Sequence, residues 1–197
     1  AGTVLVSPAS PIPLTNVDGT VFFSSFGSTN GQELWKSDGT TAGTVLVKDI
    51  RPGTSGSYPS FLTNGNGILY FHATDGANGY ELWKSDGTVA GTVLVKDINP
   101  GSGSSNPANL TNVNGLLYFT ANDGVNGTEL WKSDGTAAGT VMVADIFDGT
   151  NDSDIQEIIA TSDFLFFSPN DDVVGYELWA IRFQTLSQSV NVSTAVS

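Results

Sequence analysis

Glu-Leu-Trp recurs at Glu33, Glu81, Glu129 and Glu177, each time after 48 residues. A fixed interval constrains the fold more than any single residue does, because each unit must bury its apolar face against a neighbour. Periods of about 40–50 residues belong to propellers, solenoids and arrays. The repeat spanning residues 33–80 and the one spanning 81–128 nearly superimpose, the third drifts after Asp145, and the fourth stops at Glu177-Leu178-Trp179-Ala180-Ile181-Arg182-Phe183.

Inside one repeat the pattern reads as strands. Tyr80 to Lys84 is short and aromatic, and Ser85-Asp86-Gly87-Thr88 supplies a turn. Gly91 to Lys96 is rich in β-branched residues and returns. After a Pro-Gly loop, Asn109 to Asn112 pairs through an Asn114-Gly115 turn with the apolar run Leu116 to Thr120. Four strands per repeat is the content of one propeller blade, and a ring of blades covers the sheet faces and limits exposed edges. The expected fold is therefore all-β, a four-bladed β-propeller of 48-residue, four-stranded blades. Residues 1–183 form the propeller and residues 184–197 a C-terminal tail, strand or linker.

The chain ends fit a ring. Ala1-Gly2-Thr3-Val4-Leu5-Val6 matches Ala42–Val47, Ala90–Val95 and Ala138–Val143, the strand that the fourth repeat lacks after Trp179. The N-terminal strand is thus expected to complete the last blade. The stretch from Val6 to Glu33 is seven residues shorter than its counterparts, so one loop of the first blade must be short. Two other arrangements satisfy the same pattern: a strand donated by a neighbouring subunit, or two chains closing one eight-bladed ring. Ser189 to Ser193 also alternates like a strand and is a further candidate for the empty position.

ELWKSDGT, intact three times and followed by AGTVLVKDI-type runs, resembles the bacterial ELWxxDGT repeat. The match is close from Glu33 to about Asp145, and the fourth copy departs after Trp179. The resemblance implies a secreted or cell-surface bacterial protein with a propeller-like fold and no defined activity. Ser37-Asp38-Gly39-Thr40 and its copies are also loosely similar to the Asp-box of sialidase-type propellers, which is mainly structural there. The strand order is similar to that of kelch blades.

The repeated residues divide into candidates for packing and for chemistry. Trp35, Trp83, Trp131 and Trp179 are equivalent; they suit blade-to-blade packing, with sugar stacking as the functional alternative. Asp38, Asp86 and Asp134 suit acceptance of turn N–H groups. Asp49, Asp97 and Asp145 end a strand, where they cap it or face a cation in a central channel. Asp148, Asn151, Asp152 and Asp154 replace a neutral Pro-Gly-Ser loop with clustered oxygens, an arrangement suited to Ca²⁺. Asp75-Gly76-Ala77-Asn78 and Asp123-Gly124-Val125-Asn126 carry fewer carboxylates. His72 is the single histidine, and its apolar neighbours place it at a strand end.

Composition narrows the function classes. A net charge of −13 with seven Lys and Arg repels nucleic acid, and no apolar run reaches the roughly 18 residues of a membrane span. No Cys is present, which removes thiolate chemistry. The chain opens at Ala1 with no visible signal peptide and reads as a mature or excised product. GxSxG, P-loop and HExxH patterns are missing. The expectation is therefore a non-enzymatic extracellular or cell-surface binding module, with no required cofactor and Ca²⁺ as an option. Its partner would be a glycan or a cell-surface protein, met in a multivalent way. The alternatives are a subunit of an extracellular filament or surface layer, self-associating through its termini, and a propeller glycosidase or lyase.

Overall fold

The computed structural model describes residue 5, residues 11–170 and residues 175–183. These residues form four antiparallel sheets made of consecutive strands. Sheet I contains β1 (Leu14–Val17), β2 (Thr20–Gly27), β3 (Gly31–Ser37) and β4 (Val45–Lys48). Sheet II contains β5 (Ser60–Gly65), β6 (Ile68–Thr74), β7 (Tyr80–Ser85) and β8 (Val93–Lys96). Sheet III contains β9 (Ala108–Val113), β10 (Leu116–Asn122), β11 (Thr128–Ser133) and β12 (Val141–Ala144). Sheet IV has three described strands, β13 (Ile158–Ala160), β14 (Phe164–Phe167) and β15 (Trp179–Arg182). The all-β, four-strand repeat unit thus appears three times in full. The expected N-terminal closing strand and the tail lie outside the described residues, as does the Ser189–Ser193 run.

Hairpins follow the turn chemistry of the sequence. Asp18-Gly19, Asn66-Gly67 and Asn114-Gly115 all take positive φ, as a two-residue type I′ turn requires. The second strands of sheets II and III are buried on both faces, which explains their unbroken apolar runs. Sheet packs on sheet through three apolar clusters. Phe22 and Leu34 of sheet I meet Leu62, Phe71 and Trp83 of sheet II. Tyr70, Leu82 and Val95 meet Phe119 and Trp131 of sheet III. Tyr118 and Leu130 meet Ile158, Leu165 and Phe167 of sheet IV.

The connection between sheets is held by a buried carboxylate. Glu33, fully buried on β3, accepts hydrogen bonds from the backbone N–H of Ile50 (3.1 Å), Arg51 (3.3 Å) and Ser57 (3.0 Å) and from Ser57 Oγ (2.5 Å). Both ends of the linker from β4 to β5 are therefore tied to one side chain. Glu81 repeats the arrangement with Ile98, Asn99 and Ser105. Glu129 keeps the bonds from Ile146 N (2.8 Å) and Ser153 N (3.1 Å), while Ser153 Oγ donates to the Thr128 carbonyl. Two residues before each of these glutamates stands a glycine with positive φ, Gly31, Gly79 or Gly127. The linker backbone passes so close that a Cβ there would collide with it. The functional word of the repeat is thus Gly-x-Glu-Leu-Trp.

Polar side chains also reach from each sheet to the next. Lys36 and Lys84 donate to the carbonyls of Gly87 and Gly135, both at 2.9 Å. Lys48 and Lys96 donate to the carbonyls of Thr92 (2.6 Å) and Thr140 (2.8 Å). On the first strands, Thr15 donates to the Leu62 carbonyl at 2.9 Å and Thr111 to that of Ile158 at 3.1 Å. Thr63 points the same way, to Leu110 at 3.5 Å.

Replacing Glu81 by Ala leaves three buried N–H donors without an acceptor. The expected loss is on the order of 3 kcal/mol or more, since each stranded donor costs roughly 1–3 kcal/mol. Glu177→Ala, at the exposed equivalent position on sheet IV, is expected to change stability by less than ~0.5 kcal/mol. Denaturant unfolding of the two variants checks the contrast.

Candidate functional site

The first strands of the sheets surround one open cavity of about 620 Å³, a size suited to a small ligand. Pro13, just before β1, lines it together with Phe61 and Thr63 of β5, Asn109 and Thr111 of β9, and Glu157 and Ile159 at β13. Among the described residues its walls carry no Lys, Arg or His. Phe61 is 51% exposed and lies against His72, with ring centroids 5.8 Å apart. His72 in turn lies 4.7 Å from the Tyr80 ring, and its Nδ1 is 3.3 Å from the Pro107 carbonyl. This geometry assigns the proton to Nδ1. Burial pushes the His72 pKa down, against the Pro107 hydrogen bond that raises it.

Residues singled out from the sequence mostly serve the scaffold. Trp83 and Trp131 are 6% exposed within the inter-sheet clusters, so neither ring face is open to a sugar. Lys96 Nζ sits 5.6 Å from the Trp131 ring, adding a cation–π contact across the same interface. Trp35 is half-buried, and Trp179 is 39% exposed beside Phe167. The four tryptophans are thus not equivalent in the fold, because the environment of sheet IV differs from that of the interior sheets.

Asp38, Asp86 and Asp134 each accept from the N–H and hydroxyl of the threonine two residues on, at 2.7–2.9 Å. Each threonine hydroxyl then accepts from Gly43, Gly91 or Gly139, at 2.9 Å in every hairpin. The aspartate lies where a Cβ on that glycine would be, so only glycine closes the hairpin. These hydrogen bonds, the threonine hydroxyl foremost, hold the three carboxyls below their usual range.

The acidic loop is not gathered on a point. Asp152 accepts from Thr128 N at 2.5 Å, while Asp154 is bound by Gln156 Nε2 at 2.9 Å and by the Tyr176 hydroxyl. Among the described residues no group of three or more His, Asp or Glu side chains is placed to hold a metal ion. Asp148 and Asn151 lie exposed in the same loop. Asp75 and Asp123 cap their own turns through Asn78 and Asn126. Burial there acts to raise each pKa, but the hydrogen bonds outweigh it and the carboxyls sit low.

Two placements differ from the sequence reading. Asp49 and Asp97 follow the outermost strands β4 and β8, whereas first strands line the cavity, so neither faces a central channel. Asp49 accepts from Asn30 Nδ2 at 2.6 Å and Asp97 from Gly101 N at 3.1 Å. His72 lies within β6, not at its end, because the ladder with β7 continues to Thr74. Sequence reasoning missed the cavity wall altogether. The signal was available in residues 13, 61, 109 and 157, which share one repeat position and are Pro, Phe, Asn and Glu.

The buried glutamates carry the strongest electrostatic perturbation. Burial raises the pKa of Glu33 and Glu81, against several hydrogen bonds that lower it. Glu129 is pushed up to about 7, first by burial and further by the charge of Asp145.

No family model matches the chain, and no curated protein matches it. Among solved structures it is similar to a mutant puromycin hydrolase complexed with PGG, with a TM-score of 0.57 and 12% identity over 83% of this chain. At that identity the likeness shows the fold alone, and this chain spans a quarter of the length of the hydrolase chain. The likeness does correct one expectation. A fold of this kind forms part of an enzyme, so the reading of the chain as non-enzymatic, drawn from missing motifs and turn-bound carboxylates, is withdrawn.

The pKa shifts set opposite pH limits on stability. Glu33, Glu81 and Glu129 have folded-state values above their ordinary 4.5, so their contribution is full below about that pH and is lost as pH rises through the folded values, about 7 for Glu129. Asp38, Asp86, Asp134, Asp75 and Asp123 sit below 3.8, so their contribution is present above that pH and lost as pH falls through the folded values. The melting temperature at constant ionic strength is expected to peak between about pH 4 and 5 and to fall toward pH 7. Glu129→Gln is expected to flatten part of that fall. A melting temperature that climbs from pH 5 to pH 7 would refute the assignment.

Proposed function

We propose that the chain is an extracellular recognition module of the ELWxxDGT type that binds a glycan through its central cavity. The observation that carries this reading is the cavity itself. It is lined by first-strand residues of sheets II, III and IV and by Pro13 ahead of β1, while the repeated Trp and Asp residues are taken up by packing and turns. Recognition therefore runs through one site per chain and not through four equivalent sites on the rim. In this reading the sheets form a four-bladed propeller, with Ala1–Val6 completing sheet IV beside β15. The sequence match of that segment to β4, β8 and β12 supports the closure.

A second reading, assembly with further copies through the terminal strand, draws on one observation. Leu178 is 76% exposed, whereas Leu34, Leu82 and Leu130 at the same repeat position are fully buried. A strand from another copy seated near β15 would cover it.

Calorimetric titration with neutral and charged oligosaccharides tests the first reading. One ligand per chain is expected, with binding weakened at least tenfold in Phe61→Ala and unchanged in Asp86→Ala. Four ligands per chain would place recognition back on the repeats. Light scattering with and without Ca²⁺ separates the two assemblies. A monomer whose melting temperature drops on deletion of residues 1–6 supports self-closure, and an oligomer that dissociates on that deletion supports strand exchange.

A further inference from the structure

The two most similar repeats differ in a set of aromatic positions, one of which, Phe61, lines the cavity. Sheet II carries Tyr58, Phe61, His72 and Tyr80; sheet III carries Asn106, Asn109, Thr120 and Thr128 at the same positions. The position after that of Phe61 stays aliphatic as Leu14, Leu62, Leu110 and Ile158, and the last three of these also line the cavity. Within the cavity wall the variation is therefore concentrated at one repeat position, which takes a proline, an aromatic ring, an amide and a carboxylate at Pro13, Phe61, Asn109 and Glu157.

Backbone strain sets Tyr58 and Phe61 apart from their counterparts in sheet III. Tyr58 and Phe61 have φ of 51° and 53°, and Asn106 and Asn109 take the same conformation at 47° and 54°. Asparagine is at home in this left-handed region, whereas a bulky aromatic residue is an outlier there. Burial does not offset that strain, since Tyr58 is 43% and Phe61 51% exposed. Strained residues with exposed side chains cluster at binding sites. Phe61 is moreover fixed in place by the His72 ring, itself held by Tyr80 and the Pro107 carbonyl. The result is a rigid ring presented to the cavity.

The other walls define what that ring meets. Asn109 and Gln156 offer amide oxygens, since their nitrogens already donate to the Ile155 carbonyl and to Asp154 and Tyr176, and Glu157 brings a negative charge. Among the described residues no side chain pairs with the Glu157 carboxylate. An aromatic platform with amide oxygens selects a hydroxyl-bearing ring with an apolar face, and a carboxylate that no described cationic wall residue meets selects a positive charge. We propose that the central cavity binds a sugar carrying a free amino group, stacked on Phe61, with its ammonium paired to Glu157. This inference rests on the glycan reading above and narrows it to one class.

Three tetrasaccharides test it at fixed ionic strength by calorimetry: β-1,4-linked glucosamine, its N-acetylated form, and a neutral glucose oligomer. The glucosamine oligomer is expected to bind at least tenfold more tightly than the other two. Glu157→Gln is expected to abolish that preference, while Glu177→Gln, the same charge change on the exposed start of the last repeat, leaves affinity within twofold. Phe61→Asn installs the residue that sheet III uses at this φ, so it is expected to raise the melting temperature while weakening binding at least tenfold. Equal binding of all three sugars overturns the amino-sugar assignment and leaves the glycan reading standing. Binding of none overturns both. Equal loss in Glu157→Gln and Glu177→Gln reduces the effect to surface charge and overturns the assignment. A lower melting temperature in Phe61→Asn makes Phe61 a structural residue and overturns its role as platform.

Discussion

A carboxylate with no exposed surface is the element on which the succession of sheets depends. Burying an ionisable group is costly unless its oxygens are satisfied. Glu33 and Glu81 meet that condition by accepting from both ends of the linker that leads to the next sheet. The side chain therefore does what a longer apolar contact could not do for a linker rich in Gly, Ser and Pro: it gives buried backbone N–H groups an acceptor and fixes the direction of departure. The bonds pass through Ser57 into the next sheet, because the Ser57 carbonyl accepts from Thr74 N at 3.0 Å. One residue thus couples the third strand of a sheet, the linker, and the second strand of the following sheet. At Glu177 no described linker follows, and the side chain is exposed.

The same forward direction governs the other inter-sheet bonds. Threonine hydroxyls on first strands and lysines on third and fourth strands all donate to carbonyls of the following sheet. Sheet IV breaks each series in its sequence. Ile159 stands where Thr15, Thr63 and Thr111 stand, and Ala180 stands where Lys36 and Lys84 stand. Ala144 already replaces Lys48 and Lys96 in the sheet before it. In the proposed closed ring, a contact from sheet IV back to sheet I could not use the bonds that join the other pairs, and on sheet IV Ile159 and Leu178 are exposed. A ring closed across this contact differs chemically from its other junctions, and it is the junction at which opening or exchange would disturb the fewest polar bonds.

Strand content and turn positions were legible in the sequence because they are local. Asn114-Gly115 needs positive φ, the Asp86 hairpin answers its own N–H groups, and alternation marks the faces. The role of Glu81 was not legible, although its recurrence was, since its partners lie 17 to 24 residues downstream in a loop with no periodicity. Ionised side chains in a repeat read as surface features until the fold supplies buried donors. Asp49 and Asp97 were misplaced for a related reason: the sequence gives strand order but not which edge of the sheet turns inward. The cavity wall was hidden in the opposite way. Attention to what repeats draws the eye to Trp83 and Asp86, whereas Phe61 and Glu157 matter through failing to repeat.

In the proposed reading that distinction separates scaffold from recognition. A repeat module assembles neighbour by neighbour, so residues at its interfaces are bound to their counterparts in the next unit and cannot vary singly. Leu34 and its copies need the same cavity in each interface, and Lys36 needs a carbonyl at the same height. Phe61 and Glu157 in the cavity wall have no such obligation, because the cavity is open space and not a copy of their own unit. In the proposed reading the cavity is accordingly where related units can build one asymmetric site at little expense to the fold. In sheets II and III the positive φ at Phe61 and Asn109 sets a limit: it favours asparagine, so Phe61 trades backbone ease for a side chain facing the cavity.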